Sequence, residues 1–333
     1  QPRSREALCF DHTAQARAYR VCGFPPPSSG QIAIGQILGL LANTAPKSAE
    51  MAEGLPSPDW LHRYTEASRL AFADRAMYIA DPLFVQAPGS GWGSLLNRSY
   101  LEELATLIGA QLLPKAEAGS PEAFKSSYAP MPAQTELGTS HISIVDGLGN
   151  ALAMTTTIES GFGARLMVSV ENLPGGFLLN NQLTDFSFTP QDEHGRPVAN
   201  RVQAGKRPRS SMSPTLVFAQ NPNHERGDLL ASLGSPGGAM IIHFTAQTLW
   251  AMLHWELDAQ QAINMPHSGV TGANAPLLLE SGLFPSATVS NLQILGHTVK
   301  EMDMPSGLQA LQRLGPAWFG AADPRREGVV AGD

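Results

Sequence analysis

The chemistry-bearing centre of this sequence is Gly138-Thr139-Ser140-His141-Ile142-Ser143-Ile144-Val145-Asp146. A connector rich in Pro, Ala, Ser and Glu runs straight into a β-prone segment whose first residue is threonine. A cut before Thr139 would leave a free α-amino group beside the threonine's own hydroxyl. Such an amine has an unperturbed pKa of about 7.7–8.0, so near neutral pH it can take the hydroxyl proton and activate a weak nucleophile. Threonine also begins many ordinary strands, and this stretch alone leaves both readings open.

Three downstream segments carry matching chemistry. Leu178 to Asp185 (LLNNQLTD) ends an apolar run in amides and a carboxylate, groups suited to an ammonium. Arg209-Ser210-Ser211-Met212-Ser213-Pro214 offers hydroxyl donors for a carboxylate. Gly237 and Gly238 stand at an expected helix start, where backbone N–H groups can stabilise an oxyanion. Each segment taken singly reads as a turn before it reads as a site.

The elements that must hold these residues follow from patterning. His141 to Asp146 and Ala151 to Thr157 read as two strands joined around Gly147-Leu148-Gly149. With Asp146 to Asn150 as the loop, Val145 faces Ala151, and that register carried back sets Thr157 opposite Thr139. A bulge or slip would break this pairing. Further strands are expected at Thr215 to Phe218 and Leu229 to Ser232, followed by a helix to about Leu257. The first section reads as mainly helical. Its helices are Gln31 to Ala42, Trp60 to Ile79 capped by Ser57-Pro58-Asp59, and Tyr100 to Ala110. Gly35 and Gly39 give the first helix a smooth face. Leu61, Tyr64, Ala67 and Ala71 form a stripe on the second. Pro114 to Leu137 reads as an exposed connector. Strands and helices come in blocks, which favours stacked layers over a Rossmann arrangement.

Composition bounds the rest. The 333 residues fit one large or two modest domains, and 43% hydrophobic content supplies a substantial core. A formal charge of -7, with no dense Lys/Arg block, argues against a nucleic-acid partner. The 26 prolines and 32 glycines point to many loops of fixed shape. The most apolar stretch, Leu229 to Leu253, is broken by Gly234, Pro236, Gly237 and Gly238 and does not read as a membrane span. Cys9 and Cys22 either pair or stay ordinary thiols. No dinucleotide fingerprint, phosphate loop or H-E-x-x-H spacing occurs. The Gln1-Pro2-Arg3 start carries no signal-peptide pattern and is expected of a fragment or processed product.

In order, the motifs resemble the γ-glutamyltranspeptidase family from about Tyr19 onward. They are Pro25 to Gly30 (PPPSSG), Ala73-Asp74-Arg75, Thr139-Ser140-His141 with Asp146 and Gly149-Asn150, and Leu178 to Asp185. Lys206 to Pro214 (KRPRSSMSP), Gly234 to Gly238 (GSPGG) and Ala322-Asp323-Pro324-Arg325 follow. The resemblance implies an N-terminal-nucleophile hydrolase, α+β, with a four-layer αββα sandwich. It implies self-cleavage between Gly138 and Thr139, giving a large/small subunit heterodimer. Residues 1–138 would then be the later part of the large subunit and residues 139–333 the small catalytic subunit. The earlier large-subunit portion, which supplies a carboxylate-binding arginine in the family, would be a missing partner.

The implied activity is γ-glutamyl transfer or hydrolysis on glutathione and related compounds, with amino-acid or peptide acceptors. No metal or organic cofactor enters it. Thr139 matches the nucleophile, Thr157 the residue that orients it, and Gly237 and Gly238 the oxyanion donors. Ser210 and Ser211 match the α-carboxylate binders, and Gln182 and Asp185 the α-amino binders. Glu159, which stands where many members have Asn, adds a contact to the α-ammonium. Ser140 replaces a common second threonine, and Arg209 replaces an apolar residue beside the serine pair. The lid region, Ser187 to Gly205, is of intermediate length and leaves lid formation open. A periplasmic or secreted location is implied. The competing expectations are another amide hydrolase, such as a cephalosporin acylase or a poly-γ-glutamate-processing enzyme, and an uncleaved inactive fragment with a structural role.

Overall fold

The computed structural model describes residues 4–134, 138–169, 171, 175–221, 223 and 226–332. It opens with strands rather than helix. Leu8–Ala14 and Arg17–Gly23 form an antiparallel hairpin whose register sets Cys9 against Cys22, and the two sulfurs are joined in a disulfide. The open question of the two thiols is therefore settled as a pair. The expectation of a mainly helical first section missed this hairpin because its turn, Gln15-Ala16, contains no glycine, proline or asparagine. Both turn residues nevertheless adopt positive φ, 47° and 60°.

This hairpin is the edge of a six-stranded antiparallel sheet. Arg17–Gly23 pairs with Thr215–Gln220, which pairs with Arg226–Gly234; Gln309–Leu314 and Ala317–Ala322 complete the sheet. Strands from both sides of Thr139 thus build one sheet.

Helices cover one face. Gly30–Ala42 packs against Ile241–Leu253 and against Pro58–Tyr78. A Cβ at Gly35 would strike the Phe10 ring and Leu96, so close packing favours glycine there, while one at Gly39 would meet the end of the Leu101 side chain. Pro58–Tyr78 starts where expected, with the Ser57 hydroxyl accepting from Trp60 N at 3.2 Å. It is buried on every side rather than along one stripe, and most of its charged residues find partners within the fold. Asp74 accepts from Gln36, Tyr100 and Gly119. The third helix stops at Ala105. The helix after the double glycine stops at Leu253, and a separate short helix, Ala259–Asn264, follows behind an Asp258 capping box.

On the opposite face lies the two-stranded hairpin Ser140–Val145 and Ala151–Thr156. Its register is the expected one, from Val145 opposite Ala151 to Ser140 opposite Thr156. Because side chains alternate across a strand, His141, Ser143 and Thr155 share one face while Ile142, Ile144, Leu152 and Met154 share the other. On the first face, Ser232 donates to Ser143 Oγ at 3.0 Å and the His141 ring lies against Gly234, where a Cβ would strike it. The second face is exposed, with Ile144 at 50% and Leu152 at 44%. The hairpin pairs with no further strand among the described residues.

The segment after Pro114 is less exposed than expected. Ala116, Ala129 and Met131 are buried, and Met131 N donates to Ala76 O at 2.9 Å. The last part of that segment, residues 135–137, and the chain start, residues 1–3, lie outside the described residues.

Burial keeps a set of histidines neutral. Desolvation lowers His12 to about 3 and His141, His243, His254 and His297 to about 4, and holds His267 well below its usual value. As pH falls from about 6.5 towards 4, the unfolded chain takes up these protons and the folded chain does not, so stability falls. Asp74 opposes this, because burial raises it to about 6 and the native state binds its proton first. Six groups against one fix the sign. The expected result is a urea midpoint that drops steeply below pH 6 from its value at pH 7. A midpoint constant down to pH 4.5 would contradict it.

Candidate active site

The site assembles at one end of the exposed hairpin. Gly138 adopts φ +66°, and a Cβ there would strike the backbone carbonyl of Glu159. That close approach turns the connector sharply into the strand and fixes where the Gly138 carbonyl points. Two hydroxyls meet this carbonyl. Thr139 Oγ1 donates to it from the next residue, and Thr157 Oγ1 donates to it at 2.7 Å. Thr157 sits one step beyond the last ladder pair, on the face shared with His141 and Thr155. Its hydroxyl oxygen also accepts from Glu159 N at 2.8 Å, which leaves its single proton aimed at Gly138.

Glu159 is 6% exposed and holds φ +73°, a left-handed conformation rare for a glutamate. Its Oε2 accepts from the Ser160 hydroxyl at 2.7 Å and from Asn181 Nδ2. Asn181 Oδ1 in turn accepts from Ser160 N at 2.9 Å. This amide anchors the Glu159 turn to the LLNNQLTD segment. Sequence reasoning quoted that segment without singling out Asn181, although the paired asparagines were the available signal. Gln182–Asp185 forms a short 3-10 turn that carries Asp185 back towards Thr139. Gln134 ties the connector to the same place, donating to the carbonyls of Thr184 and Phe186.

The serine pair is held by the early helices. Ser210 exchanges backbone hydrogen bonds with Pro27 and Ser29, so the PPPSSG turn positions it. Arg75 Nη2 donates to Ser211 Oγ at 2.5 Å and Arg75 Nε to Ser29 Oγ at 2.8 Å. Gly237 and Gly238 adopt φ +135° and +58° at the start of a 3-10 turn, Gly238–Met240, that leads into the helix Ile241–Leu253, and a Cβ at Gly237 would strike Phe244. Only glycine fits there.

Thr139, Thr157, Glu159, Asp185, Ser210, Ser211 and Gly238 line one small cavity with Gly138, Met212 and Ile241. Its volume is about 20 Å³, enough for a single water. Gly237 and Gly138 line the adjoining cavity. Gln182 lies outside both, at the start of the turn that delivers Asp185. Among the described residues, no group of three or more His, Cys, Asp or Glu side chains is placed to hold a metal ion.

The sequence profile of the Gamma-glutamyltranspeptidase family matches residues 2–333. The chain belongs to the γ-glutamyltranspeptidase family. It is 35% identical to the glutathione hydrolase proenzyme of Escherichia coli K12, over 93% of this chain and 50% of that protein. To the glutathione hydrolase proenzyme of Bacillus subtilis 168 it is 31% identical, over 95% of this chain and 51% of that one. Among solved structures, the cephalosporin acylase from Bacillus halodurans shares its fold, with a TM-score of 0.77 and 22% identity over 98% of this chain and 52% of that chain. The chain spans about half the length of the curated relatives it matches. Family membership accounts for the order of the motifs; the geometry above says which of them meet. No described helix is long and apolar enough to cross a membrane.

Proposed function

We propose that residues 1–333 form the catalytic part of a γ-glutamyl transferase/hydrolase that activates itself by cutting between Gly138 and Thr139. The observation that carries this reading is the convergence of Thr139, Thr157, Glu159, Asp185, Ser210, Ser211 and Gly238 on one cavity beside the Gly138 carbonyl.

In the self-cleavage step, Thr139 Oγ1 adds to the Gly138 carbonyl carbon. Thr157 donates to the oxygen as negative charge develops on it. The C–N bond breaks, its nitrogen takes the hydroxyl proton, and an ester joins Gly138 to Thr139. Water hydrolyses that ester, leaving a Gly138 carboxylate and a Thr139 with a free amine and a free hydroxyl. Residues 1–138 become the end of a large subunit and residues 139–333 a small one.

In turnover the new amine takes the Thr139 hydroxyl proton, and the oxygen attacks a γ-glutamyl amide such as that of glutathione. Backbone N–H groups of Gly237 and Gly238 hold the oxyanion, and the leaving amine departs with the proton. Water then releases glutamate, or an amino-acid or peptide amine accepts the acyl group. Glu159, Asp185 and Gln182 suit the α-ammonium of the donor, and Ser210 and Ser211 its α-carboxylate. Two carboxylates facing two hydroxyls across one cavity match a zwitterionic head group.

The exposed apolar face of the hairpin supports a further layer supplied by the earlier large-subunit portion, which would complete the four-layer αββα sandwich. A structure of the intact parent decides that point. The Cys9–Cys22 disulfide supports an oxidising compartment, periplasmic or extracellular. The test of the function is the intact mass of the mature parent quenched during turnover of a γ-glutamyl anilide. The fragment beginning at Thr139 should gain one glutamyl group. Turnover with the acyl group elsewhere, or no turnover by a cleaved protein, would overturn the proposal.

A further inference from the structure

The cavity around Thr139 has room for one water and is walled largely by carboxylates and hydroxyls. The cavity that adjoins it through Gly138 differs in size and in chemistry. It measures about 640 Å³, within the range of small-molecule sites, and its wall is mainly apolar. Ala239 and Met240 come from the 3-10 turn Gly238–Met240, and Phe244 from the helix that follows. Leu278 and Met302 come from two parallel strands, Leu277–Glu280 and Val299–Met302. Leu278 pairs with Lys300 and Glu280 with Met302, so Leu278 and Met302 share one face. Met304 completes the set. All six follow Thr139 in the chain, so a cut at Gly138 would leave them on one subunit.

Phe244 is held firmly: it is 2% exposed, lies against Gly237 and meets the His267 ring at 4.5 Å between centroids. The methionines around it are unbranched and adapt to apolar groups of varied shape. Met302, 45% exposed, is the most open of them. Two charged residues also line the cavity, Asp303 and Arg326. Both are exposed, and Arg326 Nε donates to the Pro305 carbonyl at 2.8 Å. Their charges are opposite, so the wall has no net charge to hold an ionic substituent. Gly238 lines the smaller cavity and Gly237 the larger, which puts the proposed oxyanion donors where the two meet. An acyl group held there has the carboxylates and hydroxyls for its own head group. The amine half of the reaction has the apolar cavity.

We propose that this cavity is the amine-side subsite, and that it selects primary amines with an uncharged alkyl or arylalkyl substituent over amino-acid and peptide amines. The proposal rests on the acyl-transfer reading above and narrows its acceptor. The amine nitrogen bonds the acyl carbon, the ester C–O bond to Thr139 breaks, and a proton from that nitrogen returns to Oγ1. The alkyl group sits among Met240, Phe244 and Met302.

The experiment uses the intact parent as purified, a γ-glutamyl anilide as donor, and n-alkylamines from propyl to hexyl beside glycylglycine as acceptors. The alkylamines share one basicity, so the series isolates the apolar contribution. The kcat/KM for amide formation, read by mass, should rise about fourfold per added methylene. Hexylamine should exceed glycylglycine at the same pH. Met302→Gln should flatten the series while moving glycylglycine less than twofold, and Met302→Leu should restore the slope. A series without chain-length dependence, a preference for glycylglycine, or equal slopes in Met302→Gln and the parent would overturn the proposal. Calorimetric titration with 1-hexanol reads the cavity without a donor. Binding that weakens in Met302→Gln supports the subsite even if no amide forms and the acyl-transfer reading fails. Absence of hexanol binding refutes it even if that reading stands.

Discussion

Thr139→Ala in the intact parent is expected to give one uncut chain and turnover reduced by about five to six orders of magnitude, the scale on which loss of a nucleophile acts. Alanine removes the oxygen proposed to attack both the Gly138 carbonyl and the donor amide. It leaves the packing almost untouched, since Thr139 stands just outside the hairpin ladder. The variant should therefore keep the unfolding midpoint of an uncut parent. Thr139→Ser keeps the oxygen and should still cut, more slowly, because it loses the methyl group that restricts χ1. Cleavage of Thr139→Ala at the same bond, read by mass, would remove Thr139 from the mechanism.

The second large effect belongs to Thr157. Its hydroxyl accepts from Glu159 N and donates to the Gly138 carbonyl, so its proton lies where charge would develop in the proposed self-cleavage. Thr157→Val keeps the shape and removes that donor. The rate of appearance of the two fragments should fall by about 10² to 10³, the usual result of deleting one oxyanion donor. Thr157→Ser should cut at close to the parental rate. A valine variant that matches the parent would mean that the 2.7 Å contact is only structural.

How much of this was legible beforehand depended on the kind of signal. The hairpin register was readable because β side chains alternate and a Gly-Leu-Gly loop pinned one pair, so Val145 opposite Ala151 fixed every other pair. The central helix was readable in position and cap but not in environment. Only the stripe of Leu61, Tyr64, Ala67 and Ala71 was readable as buried, whereas internal partners such as Gln36 and Tyr100 for Asp74 allow its charged residues to be buried as well. The first hairpin was missed because Gln15 and Ala16 take left-handed conformations with no residue that favours them. What lies across the chain was not readable at all. That Arg75 braces Ser211, or that Asn181 holds Glu159, depends on the fold bringing distant segments together.

The most direct test of the central claim is a time course of intact mass and N-terminal sequencing on freshly folded, full-length parent protein. Two fragments that accumulate by a concentration-independent process, one beginning Thr139-Ser140-His141, are the predicted result. A folded parent that stays whole, or one cut at another bond, would contradict it.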